Sequence, residues 1–285
     1  MTTVDRRYDL SHQEFIEKYQ NTGTPVILEN ATDAWGRDKM FTPDFFRKNF
    51  GDRTTTFATE QYSISEILDL TEKSTLENPA PYPVKFNILK QLPELLSYFD
   101  PLHMNLCTPN WLKAKALKNK LSNGMDLHIG GVGNAYEIHK DTYHVHAWLI
   151  QLYGEKEIIV FPREQQELMY PGKSGLLASR SPINIMNPDY EKYPNFKNAT
   201  PIKSIIKAGE VFYIPSGVWH TTKAYGQNIS TIMDQMNATN FKAWRNDVYS
   251  YKAFYDKKRA MIDYLAASCI GASCKIADKI GIKIE

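Results

Sequence analysis

Between Tyr136 and Met236 the chain is a succession of short apolar runs punctuated by glycine and proline, and no other feature constrains the fold as tightly. The runs are Tyr136–Asp141, Ala147–Tyr153, Ile158–Phe161, Ile202–Ile206, Val211–Ile214 and Ile229–Met236. Turn signals separate them at Gly154-Glu155, Pro162-Arg163, Pro188-Asp189, Ala208-Gly209-Glu210 and Tyr225-Gly226. Many short strands with such punctuation predict a mainly β sandwich or barrel, and a jelly roll, the double-stranded β-helix, fits best.

The flanks differ. Ser11 before His12-Gln13-Glu14, and Thr42-Pro43-Asp44, are helix starts with a capping residue and, in the second case, proline in the first turn. Val26-Ile27-Leu28, Tyr82–Leu89 and Asn123–Gly131 read as strands, and Leu92–Phe99 as a helix. After the barrel, Phe241, Trp244, Val248, Tyr251, Tyr255, Ile262 and Leu265 follow alternating steps of three and four interrupted only by Lys258, a heptad-like stripe. It reads either as a helix covering its own barrel or as a homodimer seam. The expected division is residues 1–240 as a barrel domain with an N-terminal α/β flank, and 241–285 as a helical extension. The segments Thr71–Pro81 and Pro162–Lys203 are the expected substrate-facing loops.

Composition narrows the function classes. With 42% hydrophobic and 23% charged residues, disordered and fibrous readings are out. Lys+Arg 34 against Asp+Glu 32 is too even a balance to make nucleic acid or an anionic membrane the main partner. Three scattered cysteines predict reduced thiols rather than a disulfide framework. No apolar run follows the basic N-terminal residues, and the weakly polar stretch Tyr264–Ser273 is too short to span a bilayer. A soluble, cytoplasmic protein is expected.

Seven histidines are few enough to weigh singly. In His139-Lys140-Asp141 the two ligand types stand at i and i+2, on one face of a strand. Taken alone, such a pair is more often surface charge. His220, at the end of Val211–His220, supplies a second imidazole. Two histidines and a carboxylate on one side of a metal leave three positions open, which suits non-haem Fe(II). His144 and His146 extend a histidine-rich stretch, and His146, beside the incoming strand, is the better pocket candidate. His128 is a weaker one.

With these motifs in hand, Tyr136–Pro162 and Lys207–Asn237 resemble the JmjC/cupin-like Fe(II)- and 2-oxoglutarate-dependent oxygenases. Asn187–Phe196 is similar to the asparaginyl hydroxylase that acts on hypoxia-inducible factor, while the His139–Lys156 spacing is nearer to the arginine- and lysine-directed members. The resemblance implies that His139, Asp141 and His220 bind Fe(II), and that Lys156 and Tyr136 hold the distal carboxylate of 2-oxoglutarate. A buried lysine needs a compensating anion, which a dicarboxylate supplies. It further implies an oxygenase that takes O2 and hydroxylates an amino-acid side chain in a protein or peptide, with succinate and CO2 as co-products. Two positions depart from the pattern. Where the family often carries asparagine, this chain has Leu149 or Ala147 on one strand and Asp234 or Gln235 on the last. An ionised carboxylate there would repel the co-substrate, but it could pair with a cationic substrate. His146, Asp234 and Gln235 are therefore the candidate substrate contacts. The alternatives are a metal-binding cupin without oxygenase activity (an isomerase or sensor), a hydroxylase of a tRNA base or small amino-acid derivative, and a non-catalytic interaction protein.

Overall fold

Two sheets face each other, and the side chains that both turn inward build the site. The computed structural model describes residues 3–29, 31–35, 40–99, 105–113, 125–173 and 175–282. In chain order the strands are β1 (Asp5–Arg7), β2 (Val26–Leu28), β3 (Thr54–Phe57), β4 (Glu60–Ser63), β5 (Lys85–Asn87), β6 (Met125–Gly130), β7 (His146–Tyr153), β8 (Glu155–Phe161), β9 (Ile202–Lys207), β10 (Val211–Ile214), β11 (Trp219–Lys223) and β12 (Asn228–Gln235). The α-helices are α1 (His12–Phe15), α2 (Pro43–Phe50), α3 (Ile64–Glu72), α4 (Ile88–Gln91), α5 (Phe241–Ala253) and α6 (Lys257–Lys279). The larger sheet runs β1-β2-β10-β7-β12-β6-β5, the smaller β11-β8-β9, and β3-β4 forms a separate hairpin. Apart from the parallel pair β1–β2, neighbours run antiparallel.

Strand β7 shows why this sequence makes two layers. Trp148, Ile150 and Leu152 join the outer core beneath the N-terminal helices, whereas Ala147 and Leu149 join the core between the sheets. A strand apolar on both faces must be covered on both. Each large side chain so buried contributes roughly 1.5–3 kcal/mol. The helix starts follow their caps: Ser11 Oγ accepts from Glu14 N–H, and Thr42 Oγ1 from Phe45 N–H.

Several boundaries differ from the sequence reading. Tyr136–Asp141 is not a continuous strand. It pairs only at single bridges, Ala135 with Lys223 and His139 with both His220 and Arg180. Its outer edge is taken by an irregular segment, through Lys140 N–H to Ser179 O and Ser181 N–H to Ile138 O, so no regular ladder can form. Strand β11, with His220 inside it, carried too little apolar alternation to be read. Strand β8 begins at Glu155, which puts Lys156 in the strand and not in a turn. Tyr82–Leu89 shortens to β5 followed by α4, and Leu92–Phe99 is a 3₁₀ segment from Pro93. Of Asn123–Gly131, the first two residues lie outside the described residues.

The C-terminal stripe divides at Phe254–Asp256, where Asp256 caps α6 by accepting from Arg259 N–H. Phe241 and Trp244 are buried with Trp111, Val145 and Met236, while Tyr255, Ile262 and Leu265 are exposed. The small residues Ala260, Ala267, Gly271 and Cys274 form the buried side of α6. At Gly271 the Phe241 ring lies where a Cβ would be, 2.2 Å from its Cζ. Tyr264–Ser273 therefore belongs to a helix of 23 residues, which by length and composition is long and apolar enough to cross a membrane. That corrects the expectation that this stretch is too short.

Candidate active site

Strand pairing brings the ligand-type side chains together. His139 and His220 exchange both backbone hydrogen bonds, His139 N–H to His220 O at 3.0 Å and the reverse at 2.8 Å. Their rings are consequently neighbours, with centroids 4.3 Å apart. His139 Nδ1 lies 2.8 Å from Glu137 O, and His220 Nδ1 3.1 Å from Val218 O. A carbonyl only accepts, so each Nδ1 carries the proton and each Nε2 keeps its lone pair for a metal. Asp141 closes the triangle, Oδ1 at 3.6 Å from His139 Nε2 and Oδ2 at 3.9 Å from His220 Nε2. One donor atom from each residue lies within 4.8 Å of the other two. Burial pushes His220 down to about 4, with His139 adding to it. For Asp141 burial acts upward, but His220, His139 and Arg180 outweigh it and hold the carboxyl below its ordinary range. Neutral imidazoles and an ionised carboxylate are the protonation states that a divalent cation requires.

These groups line a cavity of about 430 Å³ that runs between the sheets. Strand register orders the inward face of the larger sheet, against which the cavity lies, into rows. Asp234 pairs with Ala147, and Ala147 with Ile214. The next row holds Asp126, Ile232, Leu149 and Phe212. The innermost holds Lys85, His128, Ser230 and Gln151. Lys156, from β8 of the opposite sheet, donates to Ser230 Oγ at 2.8 Å and is buried. No carboxylate pairs with it among the described residues, and burial pushes its ammonium down to about 7. Tyr136 lies between the metal donors and this inner row, its ring 4.7 Å from that of His139 and 6.2 Å from that of His128. The outer wall comes from Tyr143, Trp244, Val248 and Lys252.

The profile of the cupin-like domain family matches residues 37–241. The chain belongs to that family. It is 24% identical over 240 residues to lysine-specific demethylase 8 of Xenopus tropicalis, a match covering 80% of this chain and 52% of that protein. It is 23% identical over 294 residues to arginine-specific demethylase JMJ20 of Arabidopsis thaliana, covering 90% and 61%. It is 25% identical over 232 residues to JmjC domain-containing protein 8 of Homo sapiens, covering 77% and 78%. The chain thus spans about half the length of several curated relatives that it matches. JmjC cupins use Fe(II), 2-oxoglutarate and O2, and the His139–Asp141–His220 donor set of this cupin-like domain fits that metal.

The remaining predicted site residues divide. Asp234 faces the cavity; burial first, then Asp141 and Asp126, push its carboxyl well above the ordinary range. Gln235 points the other way, accepting from Trp148 Nε1 at 2.9 Å and donating to Pro109 O at 3.1 Å. Its expected substrate role is not supported, because strand alternation puts it on the outer face. His146 is likewise no substrate contact. Its Nδ1 accepts from Ser216 N–H and the Tyr213 hydroxyl, its Nε2 meets Thr239 Oγ1, and burial pushes it down to about 3. Leu149, in place of a hydrogen-bonding side chain, lines the cavity. The sequence reading missed Lys85, Asp126, Thr222 and Arg180 in the lining. Alternation along β6 would have found Asp126 with His128, whereas Arg180 comes from the irregular Pro162–Lys203 loop, where no period exists. Thr71–Pro81 contributes nothing to the lining.

Proposed function

We propose that this chain is an Fe(II)- and 2-oxoglutarate-dependent dioxygenase that hydroxylates an amino-acid side chain in a protein or peptide, with succinate and CO2 as co-products. The observation that carries this reading is Lys156. A buried ammonium whose one hydrogen-bond partner among the described residues is a serine hydroxyl is costly unless an anion arrives. His139, Asp141 and His220 would hold the metal on one face, and Tyr136 with Lys156 would hold the distal carboxylate. The bound metal and co-substrate supply oxidation of an unactivated C–H bond by O2. The chain's own contribution is to fix the imidazole tautomers, keep Asp141 ionised and exclude water with apolar walls at Leu149, Ile214 and Ile232.

A basic side chain is the substrate that the outer row favours. Asp234 in that row, with Asp126 in the next, puts carboxyl groups on the cavity wall, and a cation beside Asp234 would relieve its unfavourable burial. Relatives named as lysine- and arginine-specific demethylases fit the same class. Asp234→Asn is expected to reduce turnover of lysine- and arginine-containing peptides about tenfold or more, while leaving peptide-independent 2-oxoglutarate decarboxylation nearly intact. Equal turnover of basic and neutral peptides would remove the substrate reading.

Leu149 and Asp234 favour the competing reading, a metal-binding cupin without oxygenase activity. Anaerobic titration with Fe(II) and then 2-oxoglutarate separates the two. The oxygenase is expected to develop the visible metal-to-ligand charge-transfer band, lost in His220→Ala and weakened in Lys156→Ala. Iron binding without the band would establish the competitor.

We also propose a second copy of this chain as the partner of α6. Its exposed Ile262, Leu265, Cys269, Ala272 and Ile276 repeat at alternating steps of three and four. Such a seam suits a helix of the same kind, related by a two-fold axis.

A further inference from the structure

Lys156 is not itself on the cavity wall; of the innermost row, Lys85 and His128 line the cavity, beside Tyr136. His128 carries a second oddity: it is buried, and its Nε2 has no hydrogen-bond partner. The other buried side-chain atoms left without a partner among the described residues belong to Gln20, Gln151, Trp219, Thr231 and Arg245, none of which lines this cavity. Leaving such a nitrogen unsatisfied costs about 1–3 kcal/mol, so native structures rarely keep one without a use.

The ring's position says what the use is. His128 stands directly across from Ser230 on β12 and from Lys85 on β5, so the three side chains share the inward face. Ser230 in turn accepts from Lys156 Nζ. The ring is nearly parallel to that of Tyr136, at an interplanar angle of 10°. The closed end of the barrel therefore collects two ammonium groups, Lys156 and Lys85, an imidazole and a phenol, all capable of donating hydrogen bonds. The carboxylates among the lining residues, Asp126, Asp141 and Asp234, lie on other rows or belong to the metal triangle.

We propose that His128 donates from Nε2 to the distal carboxylate of the 2-oxo dicarboxylate, completing the site that Tyr136 and Lys156 begin. This rests on the oxygenase reading above. Burial, reinforced by Lys85, Lys156 and His139, pushes the His128 imidazole well below its ordinary value. It therefore acts as a neutral donor: it adds a directed hydrogen bond without a further charge beside Lys156 and Lys85.

The test compares two ligands on the iron-loaded protein without oxygen, by the charge-transfer band. One is 2-oxoglutarate; the other is 2-oxopentanoate, which keeps the chelating 2-oxo acid and has a methyl group in place of the distal carboxylate. His128→Phe is expected to weaken 2-oxoglutarate ~10- to 100-fold. It should change 2-oxopentanoate affinity by less than about twofold, as for a site with no lost donor. His128→Gln, which retains an N–H donor, is expected to restore most of the loss. Unchanged 2-oxoglutarate binding in His128→Phe, or equal weakening of both acids, would overturn the role of His128 and leave the oxygenase reading standing. A wild-type protein that binds iron but shows no band with either acid would overturn both. If His128→Phe does not fold, the imidazole ¹⁵N spectrum of the wild-type Zn(II)-loaded protein decides. The His128 Nε2–H signal should shift and become slow to exchange on adding 2-oxoglutarate, and its indifference would overturn the proposal.

Discussion

Lys156 shows how a single side chain can be kept against its own stability cost. Its ammonium releases its proton near pH 7 in the fold, against an ordinary value of 10.5. Between those values the unfolded chain binds more protons than the folded one, so stability rises with pH across that window and is lowest below it. Thermal unfolding of the metal-free protein is expected at higher temperature at pH 9 than at pH 6.5, and Lys156→Met should flatten that slope. The same substitution should raise stability at pH 6.5 by roughly 1–4 kcal/mol, less whatever the orphaned Ser230 hydroxyl costs. A slope unchanged in Lys156→Met would mean that other groups dominate it. The metal triangle was legible because H-x-D and a distant histidine need only residue identity. The burial of Lys156 was not, since Glu155-Lys156-Glu157 reads equally as a solvated charge cluster. Its neighbours alternate outward in β8, and only the facing sheet determines what the lysine meets.

At the scale of elements, the turn between the metal donors and β7 is held from several sides. Tyr143 and His144 both adopt left-handed backbone, at φ of 61° and 50°, which non-glycine residues rarely adopt unless their surroundings enforce it. Here the His144 carbonyl accepts from Ser216 Oγ at 2.7 Å and from Asn240 Nδ2 at 3.0 Å, and His144 Nδ1 meets Asp247 Oδ2 at 2.6 Å. Asn240 also donates to Gln235 O and accepts from Asn237 N–H, so it ties the end of β12 to the turn beside Asp141. Asn240→Ala is expected to lower Fe(II) affinity by about 10- to 100-fold, the range for groups that orient a metal ligand. It should also reduce stability by a few kcal/mol. Isothermal titration with Fe(II) under anaerobic conditions checks the first effect, and unchanged affinity would detach this turn from the metal site. Little of this could be read in advance. Six short apolar runs announce a barrel through turns and alternation, but the single bridges at Ala135 and His139, which stand where one of those runs predicts a strand, have no period. Strand β11, with Thr221, Thr222 and Lys223 beside His220, has no apolar run to find.

The whole molecule joins its barrel to its C-terminal helices through a buried apolar cluster in which Trp111, Val145 and Met236 meet Phe241, Trp244 and Ala267. Trp111 Nε1 donates to Asp278 of α6 at 2.9 Å, and within the helix pair the Phe241 ring of α5 fills the space at Gly271 while Lys252 of α5, on the cavity wall, pairs with Asp263 of α6. The heptad stripe was visible in the sequence, but its division between a buried and an exposed half was not. The stripe resumes after the break at Asp256 with only Lys258 interrupting it, and only packing decides which half the barrel covers. The exposed half leaves Ile262, Leu265 and Ile276 each more than half accessible. A helix of 23 residues is about 34 Å long, enough for a two-helix seam to bury the roughly 800 Å² per partner of a stable interface. The protein is expected to sediment as a dimer at micromolar concentration, and Leu265→Glu with Ile276→Glu to sediment as a monomer that still binds Fe(II). A wild-type monomer would remove the second copy as occupant of this face. Co-sedimentation of the wild type, but not the double variant, with neutral lipid vesicles would assign the stripe to a bilayer surface instead.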